Sequence, residues 1–434
     1  MKNRRVAITG MAINTPLGDT LETFLEGLLA GRSAVTAWKT YETQQIYSKV
    51  GADLGGYDIQ GKVRTLTKVL PAEMVRRMVN LVNRASWSVK LSLLLTADAW
   101  IDAALGEGGY AAERTAVLVA GHNINQNYIY RNQLKFSEDP EYIEGLFALH
   151  GLDTDHAGSI SELLQSFGPI YTMGAACASG NVALRNALNE IRYHGNDVAL
   201  VVGAVLEFSP VDLQGMALMG AIAHQKFNDQ PARASRPFDK AREGFVPAHG
   251  GAVLVLEDFD RARARGARIY AEVLGVAAAS DGSHLPQPSK RGQVAAMRRA
   301  LEESGIAPER VDFVSAHATS TPMGDLAEVN SIKEVFGQGA YRLKINAPKS
   351  ILGHTCWAAP TVETVAAVLQ MRAGRLHASI NIDSMDEAVD LDVCANRGAD
   401  LDPEICMKNS FGFGGINCVS VLRNVPRSGG GAGR

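Results

Sequence analysis

Short apolar runs alternate along the chain with longer stretches in which apolar residues recur every three or four positions. The runs "TAVLVA" (115–120) and "GAVLVLED" (251–258) are almost continuously apolar and rich in valine, which is typical of strands buried on both faces. The stretches 79–105 and 180–194 carry apolar residues at helical spacing. This alternation predicts an α/β architecture in which the sheets are mostly buried.

The same kinds of element return after the charged connector "DFDRARARGARIY" (258–270). They include "AEVLGVAAA", the strand "VDFVSA" and the helices "GQVAAMRRALEESG" and "TVETVAAVLQMRAG". The repetition suggests two similar halves, which we place at residues 1–255 and 256–425. Residues 426–434 are glycine-rich and lack apolar anchors, so we expect a flexible tail there.

Composition narrows the class of protein. Of the 434 residues, 46% are hydrophobic and 21% are charged, as in ordinary globular proteins. A formal net charge of −3 argues against a general nucleic-acid binder. Five cysteines, an odd and sparse set, indicate a reducing compartment. No window approaches the ~18 uninterrupted apolar residues of a membrane span, and no Cys/His cluster has metal-ligand spacing. We therefore expect a cytoplasmic protein without a metal.

One cysteine, Cys177, lies among small residues in "YTMGAACASGNVALRNALNEI", just ahead of an amphipathic helix. Free N–H groups and the positive end of the helix dipole favour an anion at such a position. A pKa lowered from about 8.5 to near 7 would raise the thiolate fraction from roughly 3% to about half. The alternative is a buried small hydrophobic residue, the usual state of cysteine. This stretch alone leaves both open.

Two histidines stand out by their position. His317 directly follows the strand of "VDFVSAHATSTPMGD", and His354 follows a glycine five residues after Lys349 in "KSILGH". Strand ends that lead into loops are where α/β proteins place their chemistry. Each histidine by itself is compatible with a structural role. Together with Cys177 and the glycine loop "NSFGFGGINC", they form a complementary set: a nucleophile, two imidazoles, an ammonium and a flexible backbone donor.

The ordered combination of these motifs resembles the β-ketoacyl-acyl carrier protein synthases, the condensing enzymes of fatty-acid and polyketide synthesis. The resemblance covers about residues 4 to 423, and the stretches that carry it are "RRVAITGMAINTPLG", "AACASGNVAL", "ASRPFDKAREGFV", "AHATSTPMGDLAEV", "KSILGH" and "NSFGFGGINC". It implies a thiolase-like fold: two duplicated α/β halves in a five-layered α-β-α-β-α arrangement, assembled as a homodimer or as a heterodimer with a related subunit.

The resemblance also implies catalytic roles. Cys177 matches the nucleophile that takes the acyl group as a thioester. His317 and His354 match the pair that promotes decarboxylation of the malonyl group and holds the developing enolate. Lys349 matches the lysine that supports the histidines electrostatically, and Glu328 matches the acidic residue that orients this network. A structural ion pair is the alternative role for Lys349 and Glu328.

Substrate and partner contacts are implied in the same way. Phe413 matches the gate whose backbone N–H completes the oxyanion hole. Thr319 and Thr321 match hydroxyls that hold the phosphopantetheine arm of an acyl carrier protein, which carries the substrates, so that no cofactor is implied. Arg76 and Arg77 match a basic docking site for that acidic partner, although a solvated helix face is an equally good interpretation.

The chain departs from its relatives mainly around the acyl pocket. Ile124 matches a position that lines the acyl tunnel, and Trp357 stands where glycine is common. The usual glycine-rich segment is replaced by "GHNINQNY" (121–128), whose amides suggest an oxygenated chain. Ala318 replaces a glycine, and His249 replaces an acid. These departures favour a specialised, polyketide-type substrate, without indicating its length or branching.

Two alternatives share the fold: a malonyl-carrier protein decarboxylase and a non-catalytic chain-length partner subunit. Relatives of both kinds usually lack the nucleophile, so the presence of Cys177 counts against each.

Overall fold

The computed structural model describes residues 4–106, 110–285 and 287–426. The expected flexible tail therefore lies, from residue 427 onward, outside the described residues.

The strands, in chain order, are β1 (Val6–Asn14), β2 (Thr36–Ala37), β3 (Val50–Gly51), β4 (Thr115–Ala120), β5 (Ile170–Met173), β6 (Val198–Gly203), β7 (Gly251–Asp258), β8 (Ala271–Ser280), β9 (Phe313–Ser315), β10 (Lys344–Asn346), β11 (Arg375–Leu376), β12 (Ala399–Asp400), β13 (Ile405–Gly412) and β14 (Ile416–Asn424).

The α-helices are α1 (Leu21–Leu29), α2 (Ile59–Leu66), α3 (Ala72–Arg84), α4 (Trp87–Asp102), α5 (Gln126–Glu138), α6 (Phe147–His150), α7 (Thr154–Leu164), α8 (Ser179–Arg192), α9 (Pro210–Leu218), α10 (Phe259–Ala264), α11 (Lys290–Ser304), α12 (Pro322–Phe336), α13 (Lys349–Leu352) and α14 (Ala359–Ala373).

The main sheet shows that the chain consists of two copies of one topology. Among the described residues it has ten strands in the order β10-β9-β13-β14-β8-β1-β7-β6-β4-β5. The five strands of each half can be numbered in chain order. Read from the outer edge of the sheet to its centre, both halves then give the order 3-2-4-5-1. Both halves also share one pattern of strand directions. The three outer strands are parallel to one another, and each of the next two strands is antiparallel to its outer neighbour. The halves meet where β1 pairs with β8.

Strand β7 spans the expected division between the two halves. Strand β7 continues to Asp258 because its antiparallel partner β1 pairs with it as far as Val6, opposite Asp258. The expected boundary between residues 255 and 256 therefore falls within this strand. Helix α10 lies between the two repeats, and β8 begins at Ala271.

Two helices form the central layer between the halves. Helix α8 contacts β4 and β6 of the first half and β8 and β14 of the second, and α14 contacts β6, β7 and β13. All residues from Ala359 to Met371 of α14 are buried, as a helix packed on every side requires. Helices α4 and α7 cover the outer face of the first half, and α11 and α12 cover that of the second. The α/β prediction with buried sheets is confirmed in this layered form.

The two central helices cross at very short range. A Cβ on Gly180 of α8 would lie 2.6 Å from the Thr361 hydroxyl and 2.8 Å from its backbone nitrogen on α14. Only glycine therefore permits this contact, which brings the starts of both helices together.

Within the described residues, no helix is long and apolar enough to cross a membrane. The five cysteines are all buried and form no disulfide.

Candidate active site

Cys177 lies in a tight turn between strand β5 and helix α8. The turn is a short 3-10 helix, Ala176–Ala178, and Ala176 adopts a positive φ of 45° that non-glycine residues rarely occupy. The second half repeats this turn before α14, where Cys356 has a φ of 48°. Trp357 therefore occupies, in the second half, the position that Cys177 holds in the first.

The hairpin between β13 and β14 approaches this turn closely. A Cβ on Gly412 would lie 2.6 Å from the carbonyl oxygen of Ala175 and 3.2 Å from the backbone nitrogen of Cys177. Glycine at this position lets the next residue, Phe413, place its backbone N–H beside the Cys177 sulfur. The N–H groups of Phe413 and Cys177 thus converge on the same point, as an oxyanion hole requires.

The Cys177 thiol is buried, with 6% of its surface exposed. Burial raises its pKa to about 12, while the charge of Lys349 and the two backbone N–H groups act in the lowering direction. The lowering effect of the helix entrance is therefore opposed by desolvation, which is the larger effect. In the free protein the sulfur is a protonated thiol at neutral pH.

The backbone of His317 is held in place by a hydrogen bond to Glu328 of α12. The Glu328 carboxylate accepts hydrogen bonds from the N–H of His317 (2.8 Å) and of Ala318 (2.7 Å), and from the Asn409 side chain (2.8 Å). Ala318 has a positive φ of 24°, so this loop needs such support. These three bonds tie the Glu328 carboxylate to the loop after β9 and to strand β13.

His354 has a defined tautomer. Its Nδ1 accepts a hydrogen bond from the backbone N–H of Cys356 at 3.1 Å, which leaves the proton on Nε2. That Nε2 is buried and has no protein partner among the described residues. The two imidazole rings lie 5.6 Å apart and nearly perpendicular, so the Nε2–H of His354 is available to a substrate next to His317.

Lys349 connects the histidines to the central helix. Its Nζ donates to the carbonyl oxygen of His317 at 2.6 Å, lies 3.4 Å from His317 Nδ1, and forms an ion pair with Glu363 of α14. The buried ion pair of Lys349 is therefore made with Glu363, and Glu328 serves the loop instead.

Both histidines are neutral at physiological pH. Burial lowers the pKa of His317 and of His354 well below 6.5, and the nearby charge of Lys349 lowers both further. Because Lys349 faces Nδ1 of His317, the proton of this ring also belongs on Nε2. The site therefore presents two neutral N–H donors side by side.

These groups open onto one cavity of about 300 Å³. Six of the expected site residues line it: Cys177, His317, His354, Thr319, Thr321 and Phe413. The hydroxyls of Thr319 and Thr321 lie 3.0 Å apart, and Thr321 also caps α12 through the N–H of Gly324. Exposed Met219, Leu285 and Met323 also line the cavity and form an apolar mouth.

The structure does not bring every expected residue to this cavity. In the described part of the chain, Ile124 and Trp357 are not among its lining residues. Ile124 is fully buried, and Trp357 stacks on His122 with ring centroids 4.5 Å apart. No residue of the described segment 121–128 lines the cavity either, so the expected amide-lined pocket is not seen there.

Two of the four amide side chains of that segment are hydrogen-bonded within the protein. Asn125 bonds to Ser86 and to the carbonyl of His150, and Asn127 donates to Glu207. These two side chains are therefore not free to serve an oxygenated chain.

Arg76 and Arg77 lie on α3, away from the cavity lining. Arg76 is exposed and pairs with Glu73 at 2.7 Å, whereas Arg77 donates to the carbonyl of Leu163 and helps to pack α3 on α7. Of the two, Arg76 is therefore the more exposed to a partner, although it is paired with Glu73.

Three polar residues of the site were not anticipated. Glu363, Asn409 and Lys408 are all buried beneath the histidines. Their signal was present in the sequence: an acid inside the apolar helix "TVETVAAV" and a lysine inside the apolar strand "ICMKNSF". A charge in an otherwise buried element usually has a specific partner.

Within the described ranges, no group of three or more His, Cys, Asp or Glu side chains is placed to hold a metal ion.

Comparison with known proteins identifies the family. A model described as "Beta-ketoacyl synthase, N-terminal domain" matches residues 3–262, and one described as "Beta-ketoacyl synthase, C-terminal domain" matches residues 270–383. The chain is 32% identical over 428 residues to 3-oxoacyl-[acyl-carrier-protein] synthase 2 of Coxiella burnetii, which covers 98% of this chain and 100% of the relative.

Solved structures agree in fold. The ketosynthase complex of AntDE with the carrier protein AntF, bound to a hexaketide, matches with a TM-score of 0.86 and 26% identity over 98% of this chain and 100% of that one. The ishigamide ketosynthase/chain length factor matches with a TM-score of 0.86 and 28% identity over the same shares of the two chains. The chain belongs to the beta-ketoacyl synthase family, and the predicted thiolase-like fold is confirmed.

Proposed function

We propose that this protein is a β-ketoacyl-acyl carrier protein synthase that joins an acyl group on Cys177 to malonyl-carrier protein. One observation carries the proposal: a single cavity contains the Cys177 thiol, two neutral imidazole donors and two converging backbone N–H groups. A decarboxylase needs only the two imidazoles, and a non-catalytic subunit needs neither the imidazoles nor the thiol. The complete set is what condensation uses.

The first half-reaction is acyl transfer to Cys177. The sulfur attacks the acyl thioester of the carrier protein, and the N–H groups of Phe413 and Cys177 stabilise the tetrahedral oxyanion. The thiol proton of Cys177 leaves with the pantetheine sulfur, so no net proton is gained or lost. This balance suits a site whose two histidines already carry a proton on Nε2, so that this nitrogen cannot accept the thiol proton.

The second half-reaction begins with the malonyl group. The Nε2–H groups of His317 and His354 donate to the thioester carbonyl oxygen as carbon dioxide leaves and charge develops there. Donors fixed in a water-poor site contribute about 3–4 kcal/mol each to such a step. The enolate carbon then attacks the acyl thioester, Cys177 departs as a thiolate, and the thiolate takes up one proton.

Intact-mass analysis tests this proposal directly. The protein is incubated with a panel of acyl-carrier proteins and then with malonyl-carrier protein. We expect an acyl adduct on Cys177, followed by loss of the adduct as β-ketoacyl-carrier protein appears. Cys177→Ala should abolish both events, while Cys418→Ala, which removes a buried thiol outside the site, should abolish neither. Carbon dioxide release by the wild type without any ketoacyl product would instead identify a decarboxylase.

The partner that this proposal needs is an acidic acyl carrier protein, and Arg76 is the exposed cation proposed to receive it. The AntDE relative is seen in complex with its carrier protein, which supports this class of partner. We expect Arg76→Glu to raise KM for the acyl-carrier protein, with little effect on a small soluble thioester. Arg310→Glu, at the opposite end of β9 from His317, is the matched control. Equal effects of both variants would reject Arg76 as the docking residue.

We further propose a homodimer built on strand β5. This strand ends the sheet, and exposed Ile170, Tyr171 and Phe167 lie on or beside it. An apolar sheet edge favours pairing with another strand. Sedimentation should give a dimer for the wild type and a monomer for Tyr171→Lys. A monomeric wild type would reject this assembly, and a dimer formed only with a co-expressed related subunit would indicate a heterodimer.

The unpaired state of the five cysteines supports a reducing compartment, and we propose the cytoplasm as the site of action.

A further inference from the structure

Lys408 is a charged side chain completely buried behind the active site. It lies on β13, next to Asn409, and none of its surface is exposed. Its Nζ donates to the Asn181 side chain at 3.0 Å and to the Ser410 hydroxyl at 2.7 Å. Neither partner is a carboxylate, so within the described residues no hydrogen-bonded anion balances this ammonium. A buried charge without such a partner is costly and demands an explanation.

Strand β13 places Lys408 between the two halves of the site. Its neighbour Asn409 points to the opposite face and supports Glu328, and through it the His317 loop. The partner Asn181 lies in the first turn of α8, four residues after Cys177, and its amide donates to the carbonyl of Cys418 on β14. Lys408 thus connects two elements of the site. One is strand β13, which supports the His317 loop, and the other is helix α8, which begins just after Cys177.

The nearest ionisable groups form one buried cluster. Those that interact with Lys408 are Glu363 of α14, Lys349 of α13, Cys418 of β14, Cys406 of its own strand, and His317 in the loop after β9. Glu328, whose pKa is raised by burial, completes the set through Lys349 and the His317 loop. His354 also faces His317 and lowers its pKa. The cluster therefore contains two carboxylates, which are balanced only when both lysines carry a charge. One oxygen of Glu363 has no hydrogen-bond donor.

We infer that Lys408 is a positioning residue whose positive charge balances the buried carboxylates and keeps His317 neutral. The inference rests on the proposed function, in which a neutral imidazole donates to the malonyl carbonyl. Without the ammonium, the cluster of Lys349, Glu363 and Glu328 carries a net negative charge. A negative cluster attracts a proton, and His317, whose pKa the charge of Lys408 lowers, is a neutral base in contact with it.

This role has a direction in pH. Burial lowers the pKa of Lys408 to about 7, so the ammonium is charged in mildly acidic solution and neutral in alkaline solution. The charge of Lys408 in turn lowers the pKa of His317. Lys408 is thus charged in the acidic pH range, where His317 would otherwise become protonated. It is neutral at alkaline pH, where His317 is neutral without it.

The experiment compares the pH dependence of carbon dioxide release from malonyl-carrier protein in wild type, Lys408→Met and Ser410→Ala. Lys408→Met removes the charge, whereas Ser410→Ala removes one acceptor and keeps the charge. We expect the acid limb of Lys408→Met to move upward by about one pH unit, a tenfold change in proton affinity. The Lys408→Met and wild-type profiles should merge above about pH 8, and Ser410→Ala should follow the wild type.

The stability of the variant separates this role from a structural one. Replacing a buried charge by an apolar side chain of similar volume is often neutral or stabilising, so Lys408→Met should melt no lower than the wild type. A loss of rate by the same factor at every pH, or a profile that superimposes on the wild type, would overturn the inference.

A measurement on the wild type covers the case of a variant that does not fold. In protein labelled with ¹³C at the lysine ε-carbon, one resonance should titrate with a midpoint near 7, whereas exposed lysines titrate near 10.4. The absence of such a resonance would overturn the inference. Because this readout does not depend on turnover, it remains decisive even if the protein catalyses no condensation.

Discussion

The backbone N–H of Cys356 donates to Nδ1 of His354 at 3.1 Å, and this bond determines which ring nitrogen carries the proton. Cys356 has a positive φ of 48° and lies in the strained turn before α14. This turn therefore also orients the imidazole of His354. The Nε2–H that results has no competing partner in the described part of the chain. The second half of the duplicated fold therefore supplies a donor, where the first half supplies a nucleophile.

We predict that His317→Ala and His354→Ala separate the two half-reactions. Each change removes an N–H that is directed at the malonyl carbonyl, so carbon dioxide release should fall by about 10²–10³. Self-acylation of Cys177 should persist in part, because acyl transfer uses the backbone N–H groups of Phe413 and Cys177. Intact mass measures the acylation, and a coupled assay measures the release. An equal loss of both activities would assign the histidines to activating the thiol or holding the fold.

We predict that iodoacetamide labels Cys177 first, and that its rate of labelling rises with pH. Because burial raises the pKa of Cys177 to about 12, the thiolate fraction should increase about tenfold for each pH unit between 7 and 9. Peptide mapping against time and pH gives the site and the rate.

Two outcomes would contradict this assignment. Label mainly on Cys356 or Cys418 would reject Cys177 as the reactive thiol. A rate that already levels off near pH 7 would show that the helix entrance outweighs burial.

The sequence predicts the fold well because the fold depends on local pattern. Apolar runs and helical spacing indicate the strands and helices, and the motifs around Cys177, His317 and His354 lie at the ends of those elements. The ion pair between Lys349 and Glu363 was missed because its partners are fourteen residues apart on different helices. Only the packing of α13 against α14 brings them together.

Burial explains the other differences between expectation and structure. A helix entrance is visible in the sequence, but the desolvation that raises the pKa of Cys177 depends on the hairpin of Gly412 closing over it. Likewise, the amides of Asn125 and Asn127 look free in the sequence, whereas tertiary partners occupy them.

We predict that Glu363→Gln strongly destabilises the protein. The change leaves the buried ammonium of Lys349 without its carboxylate, and breaking one side of a buried pair costs about 3–5 kcal/mol. Chemical denaturation measures the free energy of unfolding. Glu387→Gln breaks the exposed pair with Lys240 and is the control, for which we expect no measurable change. If both variants lose the same stability, Glu363 is not the essential counter-ion of Lys349.

We predict that Gly412→Ala reduces turnover far more than it reduces stability. Its Cβ would lie 2.6 Å from the carbonyl oxygen of Ala175, so the turn that carries Cys177 must move away from the N–H of Phe413. Acylation rates and melting temperature are measured together. Gly215→Ala is the matched control, because a Cβ there meets no atom within 4 Å. Full activity in Gly412→Ala would show that the close approach is not required for the oxyanion hole.

The final prediction concerns Trp357, which occupies the position equivalent to Cys177 in the second half. Its ring stacks on His122 at 4.5 Å, and a Cβ on Gly121 would lie 3.4 Å from the indole and 2.8 Å from Ile124. The stacked pair therefore fills space beside the residue expected to line the acyl tunnel. Closely packed interiors do not absorb an indole without loss of space, so this pair should limit the length of the accepted chain.

A chain-length series of acyl-carrier proteins tests this limit in wild type, Trp357→Gly and Trp357→Phe. Trp357→Gly should gain rate with longer chains and change little with short ones, because the removed ring opens volume next to Ile124. Trp357→Phe keeps an aromatic ring on His122 and should retain the wild-type profile. Melting temperatures identify folded variants. An unchanged length profile in folded Trp357→Gly would show that the indole is part of the core and that other residues set the chain length.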